Sequence, residues 1–212
     1  MEFQQVLPSH IELGLWKIEE PEEWFLEQMN LSEKEDQFIG QMKGHRRLEW
    51  LAGRWAMHVL SGREKRGACL KDEYGKPYLE DSTYDISISH SREYIAVMAG
   101  PRKVGVDIQK MVAKINRLAP KFLRDEEMAG LGQTTAYEEM HIYWGAKECL
   151  YKAYGRRKLD FRQHIGVVPF AFFENGGTLQ GWVKKEKFYQ EYDLRYRMID
   201  DFVLVYGMEK DE

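Results

Sequence analysis

Residues 144–155 read WGAKECLYKAYG. Wound as a helix, they put Ile142, Ala146, Cys149, Leu150 and Ala153 on one arc, the spacing of a core-facing stripe. Trp144, Lys147, Glu148, Tyr151 and Lys152 fall on the opposite arc. Glu148 precedes Lys152 by one turn, the favourable order for an exposed pair worth about 0.2–0.5 kcal/mol. A surface pair accounts for two of these side chains and leaves Trp144, Tyr151 and Lys147 unexplained. The spacing predicts a strong helix over about 136–154, and the chain on either side is read around it.

After this helix come strand patterns in VVPFAFF, TLQGWVKK, YDLRYRMI and DFVLVYGM, with NGG supplying a hairpin turn. Before it, residues 114–132 look helical but irregular, broken at GLGQTT (130–135). The N-terminal half has the same ingredients. IELGLWKI (11–18) alternates as a strand, PEEWFLEQM reads as a short helix opened by proline, and helical spacing runs through 46–60. YGKPY (74–78) is loop chemistry, and YDISISH and YIAVMAG form a hairpin closed tightly at Ser91–Glu93. In each half a long helix precedes a hairpin. The expected class is α+β, with boundaries at 1–110 and 111–212.

Three places carry polar side chains where packing alone does not ask for them. In KVGVDIQ (103–109), period 2 sets Val104, Val106 and Ile108 on one face and Gly105, Asp107 and Gln109 on the other. An acid in so β-branched a strand is costly to bury without a partner, and a divalent cation is one partner that oxygen ligands suit. In SISHS (87–91), Ser87 and Ser89 share a face and His90 ends the strand, a set apt for phosphate oxygens. It has neither the elbow nor the third member of a serine hydrolase. The helix supplies the third place, with Lys147, Glu148 and Lys152.

Composition removes several classes. A net charge of −4 and a pI near 5.9 argue against a general nucleic-acid binder. The charge is uneven, because Arg46, Arg47, Arg54, Arg63, Lys65 and Arg66 crowd 44–66 against only Glu49 and Glu64. That patch suits a phosphate-bearing molecule or an acidic partner. Two distant cysteines, Cys69 and Cys149, make neither a disulfide framework nor a zinc cluster. With no long apolar run, the expectation is a cytoplasmic protein without membrane attachment.

YGKP, then SISHS, then GVDI, then WGAKECLYK, in that order along the chain, resemble the 4′-phosphopantetheinyl transferase superfamily, in its two-subdomain class. The resemblance covers about residues 46–160. It implies two similar subdomains in a pseudo-two-fold arrangement, each a small, mainly antiparallel sheet packed on a long helix, with the active site in the cleft they form. It also implies an activity: moving the 4′-phosphopantetheine arm of coenzyme A to a serine of an apo-acyl or peptidyl carrier protein, with release of adenosine 3′,5′-bisphosphate. Mg²⁺, or Mn²⁺, would be the cofactor and coenzyme A the co-substrate, in a protein acting as a monomer.

By the same resemblance Asp107 and Glu148 are metal ligands, and Glu148 is the candidate for taking the serine proton. Lys152 neutralises the pyrophosphate, with Lys147 as a second candidate. Ser89 and His90 hold coenzyme A phosphates, and Lys76 reaches the nucleotide end. Arg47 and Arg54 lie on the helix where the family places arginines for the 3′-phosphate. Gln109 stands where many members carry a second acid; its amide oxygen can ligate Mg²⁺ but adds no charge. The alternative expectation is a coenzyme A or carrier-protein binding module without catalysis. A two-metal phosphohydrolase lacks the further acids it needs.

Overall fold

A computed structural model describes residues 2–211 and divides them into two compact units, one ending at Arg102 and the other beginning at Lys103. The first unit contains strands β1 (Phe3–Leu7) and β2 (Ile11–Lys17), and helices α1 (Glu22–Gln28), α2 (Glu33–Ile39) and α3 (His45–Ser61). It continues with β3 (Cys69–Lys71), β4 (Pro77–Leu79), β5 (Asp85–Ser91) and β6 (Tyr94–Gly100). Four of these strands form an antiparallel sheet in the order β1-β2-β6-β5, and β3-β4 is a separate ribbon. Leu51, Ala52, Ala56, Met57 and Leu60 of α3 are at most 1% exposed and cluster with Phe25, Ile95 and Val97. This burial, not helix propensity, is the main stabilisation of α3.

The second unit comprises β7 (Val104–Lys110), α4 (Ile115–Phe122), α5 (Asp125–Ala129), α6 (Ala136–Tyr154), β8 (Ile165–Val167), β9 (Gly177–Lys185), β10 (Phe188–Ile199) and β11 (Phe202–Glu209). Its sheet is antiparallel in the order β7-β11-β10-β9-β8. Strand β10 alternates as the sequence demands, with Tyr192, Leu194 and Tyr196 buried and Glu191, Asp193 and Arg195 exposed. The core arc expected of the long helix, Ile142, Ala146, Cys149, Leu150 and Ala153, is buried with these tyrosines and with Val203 and Val205. Each unit is thus an antiparallel sheet packed on one long helix, the α+β organisation expected.

Four readings change. Residues 3–7, read only as a terminus, form β1, because Phe3 to Leu7 pair in register with Leu15 to Ile11. The unit boundary precedes β7 instead of following it, since β7 pairs with β11 along its whole length. VVPFAFF supplies a strand only through Val167, and residues 168–173 run irregularly past Pro169. The most consequential change concerns α6. Its opposite arc is covered from within the unit: Trp144 meets Phe122 and Phe161 at centroid distances of 5.0 and 5.4 Å, and Tyr151 meets Phe161 at 5.7 Å. No helix among the described residues is long and apolar enough to cross a membrane.

Candidate functional site

In the second unit the polar group rests on an unusually close meeting of β7 and α6. A Cβ added at Gly105 would lie 2.1 Å from the Cys149 carbonyl oxygen, and one at Gly145 would lie 2.7 Å from Val205 Cγ2. Only glycine lets strand and helix backbones approach this far. The approach sets Asp107, on the Gly105 face of β7, against Glu148 and Lys152 of α6. Asp107 is 7% exposed, and its Oδ1 accepts a hydrogen bond from Lys152 Nζ at 2.8 Å. The same ammonium donates to the Val106 carbonyl at 2.9 Å.

Glu148 completes the cluster and is its strained member. Burial pushes its carboxyl up to about 7, the nearby charge of Asp107 pushes the same way, and Lys152 offsets only part of this. The two acids lie beside one ammonium in a partly desolvated place. Their donors are all oxygen, and each carboxylate keeps lone pairs, which fits a hard divalent cation such as Mg²⁺ or Mn²⁺. No three His, Cys, Asp or Glu side chains converge as a metal cluster among the described residues. Two protein ligands therefore suit a cation that completes its shell with waters and substrate oxygens.

Two expected members of the site are engaged elsewhere. Lys147 is fully buried, and its ammonium donates to the carbonyls of Phe122, Phe161 and Ile165 at 2.8, 3.0 and 3.0 Å. It also meets Glu127 Oε2 at 2.8 Å, itself fully buried and accepting from the Arg124 and Val167 amides. This saturated ion pair ties α4, α5 and the 161–165 segment to α6, and it leaves Lys147 no donor for a pyrophosphate. Gln109 is the other. Its Oε1 faces His141 Nδ1 at 3.2 Å, and its Nε2 donates to the His141 carbonyl at 3.0 Å. The edge nearest Asp107 is the N–H₂ end, 3.5 Å from Oδ2, so this geometry does not offer the amide oxygen to a metal beside Asp107.

The first unit holds the remaining expected residues. Ser89 is buried on β5, and His90 is largely exposed beside it, with Nδ1 3.1 Å from Glu49 Oε2. Glu49, on α3, also lies 3.5 Å from His45 Nε2. A carboxylate on one ring nitrogen turns the other outward, so Glu49 aims His90, a role the sequence reading missed. Lys76 projects from a turn in which Asp72 Oδ1 accepts from the amides of Tyr74 and Lys76, and its Nζ meets Asp85 Oδ2 at 2.6 Å.

The two arginines differ. Arg47 is bonded to Glu22 and donates to the Ile39 carbonyl at 3.1 Å. Arg54 is only 8% exposed, its guanidinium carbon lies 4.1 Å from the Trp50 ring centroid, and its Nε has no hydrogen-bond partner among the described residues. It lines a cavity of about 120 Å³ with Lys34, Phe38, Trp50, Leu70 and Lys71. Burial lowers its pKa, the direction expected of a cation short of partners.

Residues 34–100 match the family model for the 4′-phosphopantetheinyl transferase N-terminal domain, and residues 103–205 match that of the 4′-phosphopantetheinyl transferase superfamily. The two matches meet at the boundary of the two units. A similar protein is the 4′-phosphopantetheinyl transferase gsp of Aneurinibacillus migulanus, 28% identical over 111 residues, which are 51% of this chain and 46% of that protein. The match thus spans about half the length of that relative. The chain belongs to the 4′-phosphopantetheinyl transferase superfamily.

Proposed function

We propose that this protein transfers the 4′-phosphopantetheine arm of coenzyme A to a serine of an apo-carrier protein, releasing adenosine 3′,5′-bisphosphate, in a Mg²⁺-dependent reaction. The observation that carries the reading is the Asp107–Lys152–Glu148 cluster: two acids and one lysine gathered in a partly desolvated place, with the Glu148 carboxyl pushed up by burial and by the charge of Asp107. The transfer has to offset charge on the attacking serine, on the phosphoryl group and on the departing bisphosphate. A bound divalent cation would be held by Asp107 and Glu148 and would supply Lewis-acid neutralisation of the pyrophosphate oxygens.

The chain's own groups divide the rest. The serine Oγ forms a bond to the β-phosphorus while the bond from that phosphorus to the bridging oxygen breaks, and adenosine 3′,5′-bisphosphate departs with that oxygen. The serine proton goes to Glu148, the carboxylate one turn before Lys152. Lys152 holds Asp107 in place and brings a positive charge for the pyrophosphate oxygens. In the first unit Ser89 and His90 suit phosphate oxygens, Glu49 keeping the outer ring nitrogen of His90 available. Of the two arginines, Arg54 is the better candidate for the 3′-phosphate, because it lacks the bonded partners that occupy Arg47.

The carrier is read as an acyl or peptidyl carrier protein, and the protein as a cytoplasmic monomer without a nucleic-acid partner. Both cysteines are free and buried, in keeping with a reducing compartment. The test is incubation with coenzyme A, Mg²⁺ and an apo-carrier protein, followed by the mass of the carrier. A gain of one phosphopantetheine supports the reading. Coenzyme A binding without any gain across fatty-acid, polyketide and peptide carriers would support a binding module instead.

A further inference from the structure

His141 lies on α6, two turns before Glu148, and is 1% exposed. Its Nε2 lies 3.0 Å from the Val112 amide nitrogen and 3.2 Å from the Val112 carbonyl oxygen. The Gln109 amide, turned by its own bond to the His141 carbonyl, sets its oxygen against Nδ1 and so assigns the ring proton to Nδ1, leaving Nε2 to accept from the Val112 amide. Nδ1–H then donates to Gln109 Oε1 at 3.2 Å. Gln109 Nε2 returns a hydrogen bond to the His141 carbonyl at 3.0 Å. Reversing the amide would set N–H against N–H and oxygen against oxygen, so the two bonds fix its orientation. Gly145 is packed on the same amide: a Cβ there would come within 3.1 Å of Gln109 Nε2. The ring is thus a clip from α6 to the end of β7 and to the segment that follows it.

We infer that His141 and Gln109 are a positioning pair that orients Asp107, with Gln109 presenting an N–H to Asp107 Oδ2 instead of lending its oxygen to a metal. Asp107 Oδ1 accepts from Lys152 at 2.8 Å, and the amide N–H₂ of Gln109 faces Oδ2 at 3.5 Å. In this chain, hydrogen bonding from a buried histidine takes the place of a further acid in fixing the carboxylate. Partners behind a metal ligand commonly change metal affinity by 10- to 100-fold when removed. The value of the pair to metal binding rests on the function proposed above; the orientation of Asp107 does not.

Three variants of the full chain separate the possibilities. Long-range proton–nitrogen spectra of the wild type are expected to show His141 as the neutral Nδ1–H tautomer, and an Nε2–H tautomer would overturn the pair. In crystals of His141→Leu and Gln109→Leu, Asp107 is expected to leave its wild-type rotamer; an unmoved Asp107 in both would overturn it as well. His141→Asn, which sets an amide N–H near the place of Nδ1, is expected to restore the rotamer. Titration with Mn²⁺ alone, followed by electron paramagnetic resonance, gives the metal readout. His141→Leu is expected to weaken binding about tenfold, whereas equal or tighter binding, as expected if the freed oxygen were a ligand, would overturn the inference. Absence of Mn²⁺ binding by the wild type would count against the metal reading of the site, and the tautomer and the rotamers would then decide the pair by themselves.

Discussion

Lys152 Nζ lies 2.8 Å from Asp107 Oδ1 and 2.9 Å from the carbonyl of Val106, so one ammonium joins the last turns of α6 to the middle of β7. Glu148, one turn earlier, shares the same neighbourhood; burial and the charge of Asp107 push its carboxyl up, and Lys152 offsets part of this. Lys152→Ala removes the ammonium that offsets the charge of these two acids. It is expected to weaken coenzyme A binding and turnover together, and Lys152→Arg to recover part of the binding. Steady-state kinetics with coenzyme A varied would check this, and a normal KM in Lys152→Ala would count against the assigned contact with pyrophosphate.

Glu148→Gln keeps the shape of the side chain and removes its ability to take a proton. Turnover is expected to fall by about 10²-fold or more, the low end of general acid–base contributions. Coenzyme A binding by calorimetry should change far less. Near-normal turnover would remove Glu148 from the proton-transfer step.

The pH dependence of stability without added metal follows from the direction of the Glu148 shift. Its pKa in the fold is about 7 against 4.5 in an unfolded chain, so the folded protein binds this proton more tightly. The stability this contributes is fully present below about 4.5 and is lost as pH rises through about 7. In EDTA, wild type is expected to lose stability relative to Glu148→Gln over that window. Added Mg²⁺ should reverse the loss above it. Urea melts at several pH values measure both, and parallel curves for the two proteins would contradict the shift.

Lys147 is expected to act on stability and not on substrate. Truncating one member of the buried Lys147–Glu127 pair leaves the other charge desolvated, a cost of about 3–5 kcal/mol. Lys147→Ala should therefore lower the urea midpoint sharply or yield little folded protein. Lys147→Met with Glu127→Leu together should recover only part of the loss, because the desolvated charge is gone but the carbonyls and amides that the pair satisfied lose their partners. A stable Lys147→Ala with a raised KM for coenzyme A would restore the pyrophosphate role that the geometry withholds.

Arg54 and Arg47 are separable by substrate. Arg54→Ala is expected to raise the KM for coenzyme A several-fold and leave that for 3′-dephospho-coenzyme A nearly unchanged. Arg47→Ala is expected to loosen the α1–α3 contact through Glu22 without that discrimination. Equal effects on both substrates in Arg54→Ala would deny it the 3′-phosphate.

Period and spacing made much of this legible. The alternation of KVGVDIQ placed Gly105, Asp107 and Gln109 on one face, and the helical phase of WGAKECLYK placed Glu148 beside Lys152. These are local facts, fixed by backbone geometry. The side chains whose partners are distant in sequence escaped that reading. The burial of Lys147 depends on Glu127, twenty positions away, and on carbonyls from α4 and from the 161–165 segment. The fate of Gln109 depends on His141, 32 positions away in the chain. Gly145 held a usable hint, since a glycine in the interior of a strong helix costs about 1 kcal/mol and calls for a close neighbour. Strand β1 carried weak alternation and took its register from β2.

The central claim is tested most directly by intact-mass spectrometry of an apo-acyl carrier protein incubated with this protein, coenzyme A and Mg²⁺, alongside an EDTA control and Glu148→Gln. The account predicts a gain of one phosphopantetheine on the carrier serine that EDTA abolishes and Glu148→Gln slows by about 10²-fold or more. An unmodified carrier despite bound coenzyme A, or a gain indifferent to EDTA and to Glu148→Gln, would contradict it.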